Sequence, residues 1–330
     1  MTGSAKPNAP MQAVLDQLQK LGAKPLETLT PEQARQQASP ADAVAAVLQT
    51  QGKDSTPEPV GDVQDRSFPG PAGAVALRIY WPKGAPVGNA GLPVILYVHG
   101  GGWVIADLDV YDASPRGLAN AAGAIVVSTH YRQGPEHRFP AAHEDTLAAY
   151  RWVLDNAASL GGDPRRIALV GESAGGNMAA NIAIQARDRQ WQAPVHQVLV
   201  YPVANNDMDS PSYLENAEAK PLGKAAMAWF VSHAFRAPEE TADPRISLVR
   251  QPDLSGLPPA TIILAQIDPL RSEGELLGAK LQAAGVPVVV QRYDAVTHEF
   301  FGMAAVLEEA RQAQQLVAEQ LRAAFGRTRG

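Results

Sequence analysis

The 330-residue sequence contains no cysteine. Disulfides, thiolate chemistry and cysteine-ligated zinc are therefore excluded, and a reducing, cytoplasmic setting suits the chain. No segment approaches the roughly 18 apolar residues that a bilayer-spanning helix needs. The start, Met1-Thr2-Gly3-Ser4-Ala5-Lys6-Pro7, has no apolar stretch of signal-peptide length. Positive charge is scarce as well: 28 Lys and Arg against 34 Asp and Glu leave a formal net charge of −6, with no basic cluster. Nucleic acid and anionic membrane surfaces are not expected as partners. What is present, 45% hydrophobic and 19% charged residues, is an ordinary globular composition with ample chain for a large core.

The stretch Gly171-Glu172-Ser173-Ala174-Gly175 follows a short apolar run, Arg166-Ile167-Ala168-Leu169-Val170, and precedes an Ala-rich, helix-favouring segment ending near Arg187. A serine at a tight strand-to-helix turn, with glycine two residues to either side, reads as a nucleophile elbow. The glycines leave room where a Cβ would collide with the neighbouring chain. The first amides of the following helix would face the serine hydroxyl, where negative charge is favoured. The pattern alone is also compatible with a plain turn. A phosphate loop is not, since no Gly-Lys-Ser/Thr follows.

In chain order, residues 1–55 read as helical. Met11, Val14, Leu15, Leu18 and Leu21 form one apolar stripe, and Thr30-Pro31-Glu32-Gln33 forms a helix start. This arm is either packed for stability or part of a lid. Gln51–Pro59 reads as a linker. Strand signals begin near Val63 and recur at Val75–Trp81, Pro93–Val98, Ala124–Ser128, Ile167–Val170, Gln197–Tyr201, Thr261–Ala265 and Val288–Tyr293. Helical patterns, among them Ala141–Leu160, Arg271–Ala284 and Met303–Phe325, lie between most of them. Alternation of this kind predicts an α/β fold with a mostly parallel sheet covered on both faces. Residues of about 205–240 break the rhythm with Met227, Trp229, Phe230, Val231 and Phe235. An insertion at that place would cover the strand ends where open α/β sheets bind ligands. It reads as a second cap segment on a catalytic domain spanning 56–330.

Two more motifs sit at strand ends. His99-Gly100-Gly101-Gly102-Trp103 would present backbone amides to a developing oxyanion. Asp268-Pro269-Leu270 and, further on, His298 complete the order Ser, Asp, His. His99, His130, His137, His143, His196 and His233 are alternative bases, and Asp294 and Glu273 alternative acids. His298 is preferred for its place after the last strand, and Asp268 for its strand end and following proline. Glu136, Arg132 and Asp145 read as a buried polar network.

The chain resembles the hormone-sensitive-lipase-like (bacterial type IV) carboxylesterases of the α/β-hydrolase fold. The resemblance rests on His99–Trp103, Gly171–Gly175, Asp268–Leu270, His298, Tyr131-Arg132, Pro135-Glu136-His137 and Phe139–Ala142. It covers residues of about 65–325. It implies a serine carboxylesterase acting on short- to medium-chain esters, with Ser173, Asp268 and His298 as triad and the amides of Gly101, Gly102 and Ala174 as oxyanion hole. It implies no metal and no cofactor. Trp103, Trp229 and Phe230 are candidate pocket residues, the partner is a small ester, and a homodimer is compatible with the resemblance. The chain departs from the family in three places. Glu172 stands for Asp, Gln133-Gly134 stands for Leu-Ala and is expected to loosen that loop, and Glu299 stands for a small residue, which bears on the pH behaviour of His298. An amidase, lactonase or peptidase could use the same triad, and a binding protein could keep the fold without turnover.

Overall fold

The computed structural model describes residues 5–85 and 91–326. Eight strands are described: β1 (Asp62–Gly70), β2 (Gly73–Trp81), β3 (Leu92–Val98), β4 (Ile125–Thr129), β5 (Gly162–Glu172), β6 (Gln197–Val200), β7 (Ala260–Ile267) and β8 (Val288–Thr297). They form one sheet in the order β1-β2-β4-β3-β5-β6-β7-β8. The β1–β2 and β2–β4 pairs are antiparallel and all others are parallel. This is the α/β-hydrolase architecture.

The central strands bury both faces, so they lack polar alternation. Val94, Leu96 and Val98 of β3 join Leu169 of β5 in the core on one face. Ile95, Tyr97, Ala168 and Val170 enter the core on the other, as the two-residue period of a strand requires. The first face is covered by α5 (Ala141–Asn156), α6 (Ala174–Asp188) and α9 (Arg271–Ala283), through Val153, Met178 and Leu277 among others. The second is covered by α4 (Ala113–Ala122) and α10 (Glu308–Gly326), through Leu118, Val317 and Leu321.

The N-terminal segment forms α1 (Ala9–Lys20), α2 (Pro31–Gln36) and α3 (Pro40–Thr50). The Thr30–Gln33 capping box is present, and Ser39 and Asp42 form a second one. Met11 and Val14 are fully buried against the sheet's second face, while Leu21, just past the last helical residue, is 46% exposed and leaves the stripe. Hydrogen bonds tie the arm to the body at several points among the described residues. Asn8 N donates to Ala295 O at 2.8 Å, and Trp229 Nε1 donates to Leu29 O at 2.9 Å. Arg35 bridges Val104 O, Gly134 O and the Glu136 carboxylate. Between β6 and β7 the chain leaves the sheet and forms α7 (Pro211–Glu215) and α8 (Lys224–Ala234).

Candidate active site

The turn between β5 and α6 is as tight as its glycines require. A Cβ on Gly171 would collide with the Gly175 carbonyl, and one on Gly175 with the Val98 carbonyl. Ser173 itself has φ 57° and ψ −119°, outside the regions a side chain prefers. The strained residue is held by Ser173 N donating to Val200 O at 2.9 Å and Val203 N donating to Ser173 O at 3.3 Å.

Asp268 and His298 are positioned by the sheet. Ile267 and Thr297 sit opposite each other at the ends of β7 and β8, and Asp268 and His298 immediately follow them. β8 therefore runs four residues beyond the Val288–Tyr293 expected from sequence, past Ala295 at φ 58°. His298 is the first residue of the turn that follows β8. Asp268 Oδ1 accepts from Leu270 N at 2.9 Å, which leaves Oδ2 for His298 Nδ1 at 2.7 Å. His298 Nε2 lies 3.0 Å from Ser173 Oγ. All three side chains are buried. The rivals lie elsewhere. Asp294 is exposed and paired with Arg292, and Glu273 Oε1 accepts from Ala204 N. Nε2 of His143 is 2.9 Å from Asn177 Oδ1 and that of His196 2.9 Å from Thr261 Oγ1, while His130 bonds to His99.

The glycine loop after β3 brings Gly101 and Gly102 beside the serine. Their φ values are 97° and 56°. A Cβ on Gly101 would strike the Ile105 carbonyl, and one on Gly102 the Phe230 ring. The amides of Gly101, Gly102 and Ala174 donate to no acceptor among the described residues. Gly101 and Gly102 line the same cavity as Ser173 and His298, and Ala174 directly follows the serine. His99 holds the loop from behind: it stacks on Tyr131 at 4.3 Å, and the Tyr131 hydroxyl donates to Gly100 O at 2.7 Å. Burial pushes the His99 imidazole down to about 3, so it stays neutral.

Gln133 does not loosen the adjoining loop. Its Nε2 donates to Ile105 O at 2.8 Å and Ala106 O at 2.9 Å, a tie that Leu at this position would not make. Arg132 and Asp145 form the expected pair, with Asp145 fully buried and Arg132 partly exposed. Glu136 does not belong to it: its carboxylate is half exposed and pairs with Arg35 of the arm.

Two further carboxyls approach His298. Glu172 is fully buried and accepts from the Tyr97 hydroxyl at 2.5 Å and from the Tyr201 hydroxyl. Burial, with the nearby Glu299 charge, pushes it up to about 7. Glu299 accepts from the Tyr111 hydroxyl at 2.7 and 2.8 Å, and its Oε1 lies 3.8 Å from His298 Nε2. Burial pushes the imidazole of His298 down, but the facing Asp268, followed by Glu299 and Glu172, more than offsets this, and the net shift is upward from 6.5. A base must be neutral to accept a proton, so kcat/KM should rise with pH and its inflection should lie above 6.5. A kcat/KM profile flat from acid to neutral pH would exclude a histidine base.

Ser173, His298 and Glu299 open onto a cavity of about 1260 Å³. Leu15, Leu18, Val110 and Tyr111 line one part of it, and Val203, Leu222, Met227 and Phe235 another. Trp103 and Phe230 are on its wall, but Trp229 is not. Residues 227, 230 and 231 share one face of α8 at helical spacing, which turns Trp229 toward the arm, where its indole meets Leu29 O. No helix among the described residues is long and apolar enough to cross a membrane.

A family model described as the alpha/beta hydrolase fold matches residues 95–302. Carboxylesterase NlhH of Mycobacterium tuberculosis is 44% identical over 243 residues, covering 72% of this chain and 75% of that protein. Ethyl acetate hydrolase of Pseudomonas putida is 34% identical over 298 residues, covering 90% and 91%. The solved esterase of Pyrobaculum calidifontis superposes with a TM-score of 0.83 at 38% identity, covering 96% of this chain and 99% of that one. With this fold and these relatives, the chain belongs to the hormone-sensitive-lipase-like carboxylesterases of the α/β-hydrolase family and is a serine carboxylic ester hydrolase.

Proposed function

We propose that the chain hydrolyses short- to medium-chain esters through an acyl-enzyme on Ser173. The observation that carries this reading is the hydrogen-bonded line Asp268–His298–Ser173 beside three unpaired amides. His298 Nε2 takes the Ser173 proton as Oγ attacks the ester carbonyl. Asp268 holds the proton on Nδ1 and stabilises the imidazolium. The amides of Gly101, Gly102 and Ala174 receive the oxyanion, each worth roughly 3 kcal/mol. His298 then protonates the departing alcohol, and a water activated by His298 releases the acid. Apart from that water, these steps use groups of the protein. The reading takes a small ester as the partner, involves no nucleic acid, and sets the chain in the cytoplasm; a homodimer is compatible with it.

In the same reading, residues 1–55 and about 205–240 form a cap that limits acyl length. The supports are the arm's hydrogen bond to α8 and the cavity walls that both segments supply. A relative is named for ethyl acetate, a C2 ester. On a panel of p-nitrophenyl esters, full-length protein should prefer acyl chains of roughly C2 to C8. Deleting residues 1–40 removes Met11 and Val14, each contributing roughly 1.5–3 kcal/mol by burial. The truncated protein should melt lower and lose kcat/KM. If melting temperature and chain-length profile both stay unchanged, the arm is no part of a cap.

A further inference from the structure

We propose that the Glu299 carboxylate holds the water that releases the acid from the acyl-enzyme; the proposal rests on the Ser173 acyl-enzyme described above. Glu299 Oε1 and His298 Nε2 are 3.8 Å apart, too far for a direct hydrogen bond. A water oxygen about 2.8 Å from each fits between them. Both residues line the cavity that contains Ser173. The Tyr111 hydroxyl grips both carboxylate oxygens and itself packs against Gly100, so Glu299 is fixed relative to the glycine loop. Tyr111 donates a single proton, and a carboxylate has about four acceptor positions, so capacity for a water remains. Glu299 adopts φ 74°, a left-handed conformation unfavourable for a side chain, and the strain concentrates at the residue beside the base. The titratable groups around it are His298, Tyr111, Glu172 and Asp268.

A water has two protons to place during attack. One passes to His298 Nε2 as the water oxygen bonds to the acyl carbon. The other stays on that oxygen and donates a hydrogen bond to Glu299, which takes no proton. The tetrahedral intermediate then collapses, the bond from carbon to Ser173 Oγ breaks, and the Nε2 proton returns to Oγ. Methanol attacks with the same geometry but has only one hydroxyl proton. That proton goes to His298, so methanol does not use Glu299.

The test is partitioning of the acetyl-enzyme formed from p-nitrophenyl acetate between water and added methanol. The ratio of methyl acetate to acetate does not depend on how fast the acyl-enzyme forms. In Glu299→Ala the ratio should rise at least tenfold over wild type, and in Glu299→Gln, which keeps a neutral acceptor, by less. Glu299→Gly suits the left-handed backbone and repeats the experiment if the alanine variant folds poorly. An unchanged ratio in folded variants, with total turnover equal or lowered, would mean that Glu299 acts on His298 or on packing, and would overturn the proposal. If wild-type protein gives no turnover that Ser173→Ala abolishes, the acyl-enzyme reading itself has failed.

Discussion

Ser173→Ala is expected to lower kcat on p-nitrophenyl esters by roughly 10⁵–10⁶ while the protein stays folded, the loss typical when a triad nucleophile is removed. The size of the effect follows from what is left behind. His298 Nε2 would face a methyl group in place of Oγ at 3.0 Å, and no covalent intermediate could form. The amides of Gly101, Gly102 and Ala174 would still polarise a bound carbonyl, so a residual rate above water remains. Alanine adds no bulk at a 6%-exposed position and leaves the backbone hydrogen bonds to Val200 and Val203 in place. Circular dichroism should therefore be unchanged. An organophosphonate should label wild-type protein at Ser173 alone, located by peptide mass spectrometry. Labelling at another residue, or substantial turnover by the variant, would refute Ser173 as nucleophile.

Asp268→Asn is expected to cost roughly 10⁴ in kcat, through a forced change of tautomer. Leu270 N already donates to Oδ1. An asparagine keeps that bond by placing its carbonyl oxygen there, which turns its NH₂ toward His298 Nδ1. Nδ1 must then accept, so the ring proton moves to Nε2, where the proton of Ser173 has to go. The loss should appear in kcat and kcat/KM alike, because an interaction needed in the transition state has been removed. Asp294→Asn is the control, since Asp294 is exposed and salt-bridged to Arg292. A greater loss in the control than in Asp268→Asn would move the acid to position 294.

The strands and the site were legible for one reason: their patterns are local. Apolar runs of buried parallel strands, glycines at a tight turn, and Asp and His at strand ends each leave a signature within a few residues. α4 was missed because Ser114, Pro115, Gly117 and Asn120 are weak helix formers, and its packing on α10 overrides that weakness. The extra length of β8 was hidden because it passes through the irregularity between Ala265 and Ile267, which pairing across the sheet decides. Trp229 and Glu136 were misplaced for a similar reason. Each contacts the N-terminal arm, and their sequence neighbourhoods carry no trace of Leu29 or Arg35. Glu299 stood out as a departure from the family pattern directly beside His298, but its hydrogen bonds from Tyr111, 188 residues away in sequence, depend on the folded chain.

The adjacency of Asp268 and His298 on β7 and β8 has a consequence for how this enzyme can change. Asp268 and His298 take their spacing from the hydrogen-bonded β7–β8 ladder at one edge of the sheet. The cavity wall, by contrast, is supplied largely by the arm and by the excursion between β6 and β7, both packed onto the body through buried apolar side chains such as Met11, Tyr213 and Phe235. Exchange of residues 217–240 alone for a segment of different length is expected to reshape the chamber while Val203 N, Asn216 and the β7–β8 ladder continue to hold Ser173, Asp268 and His298.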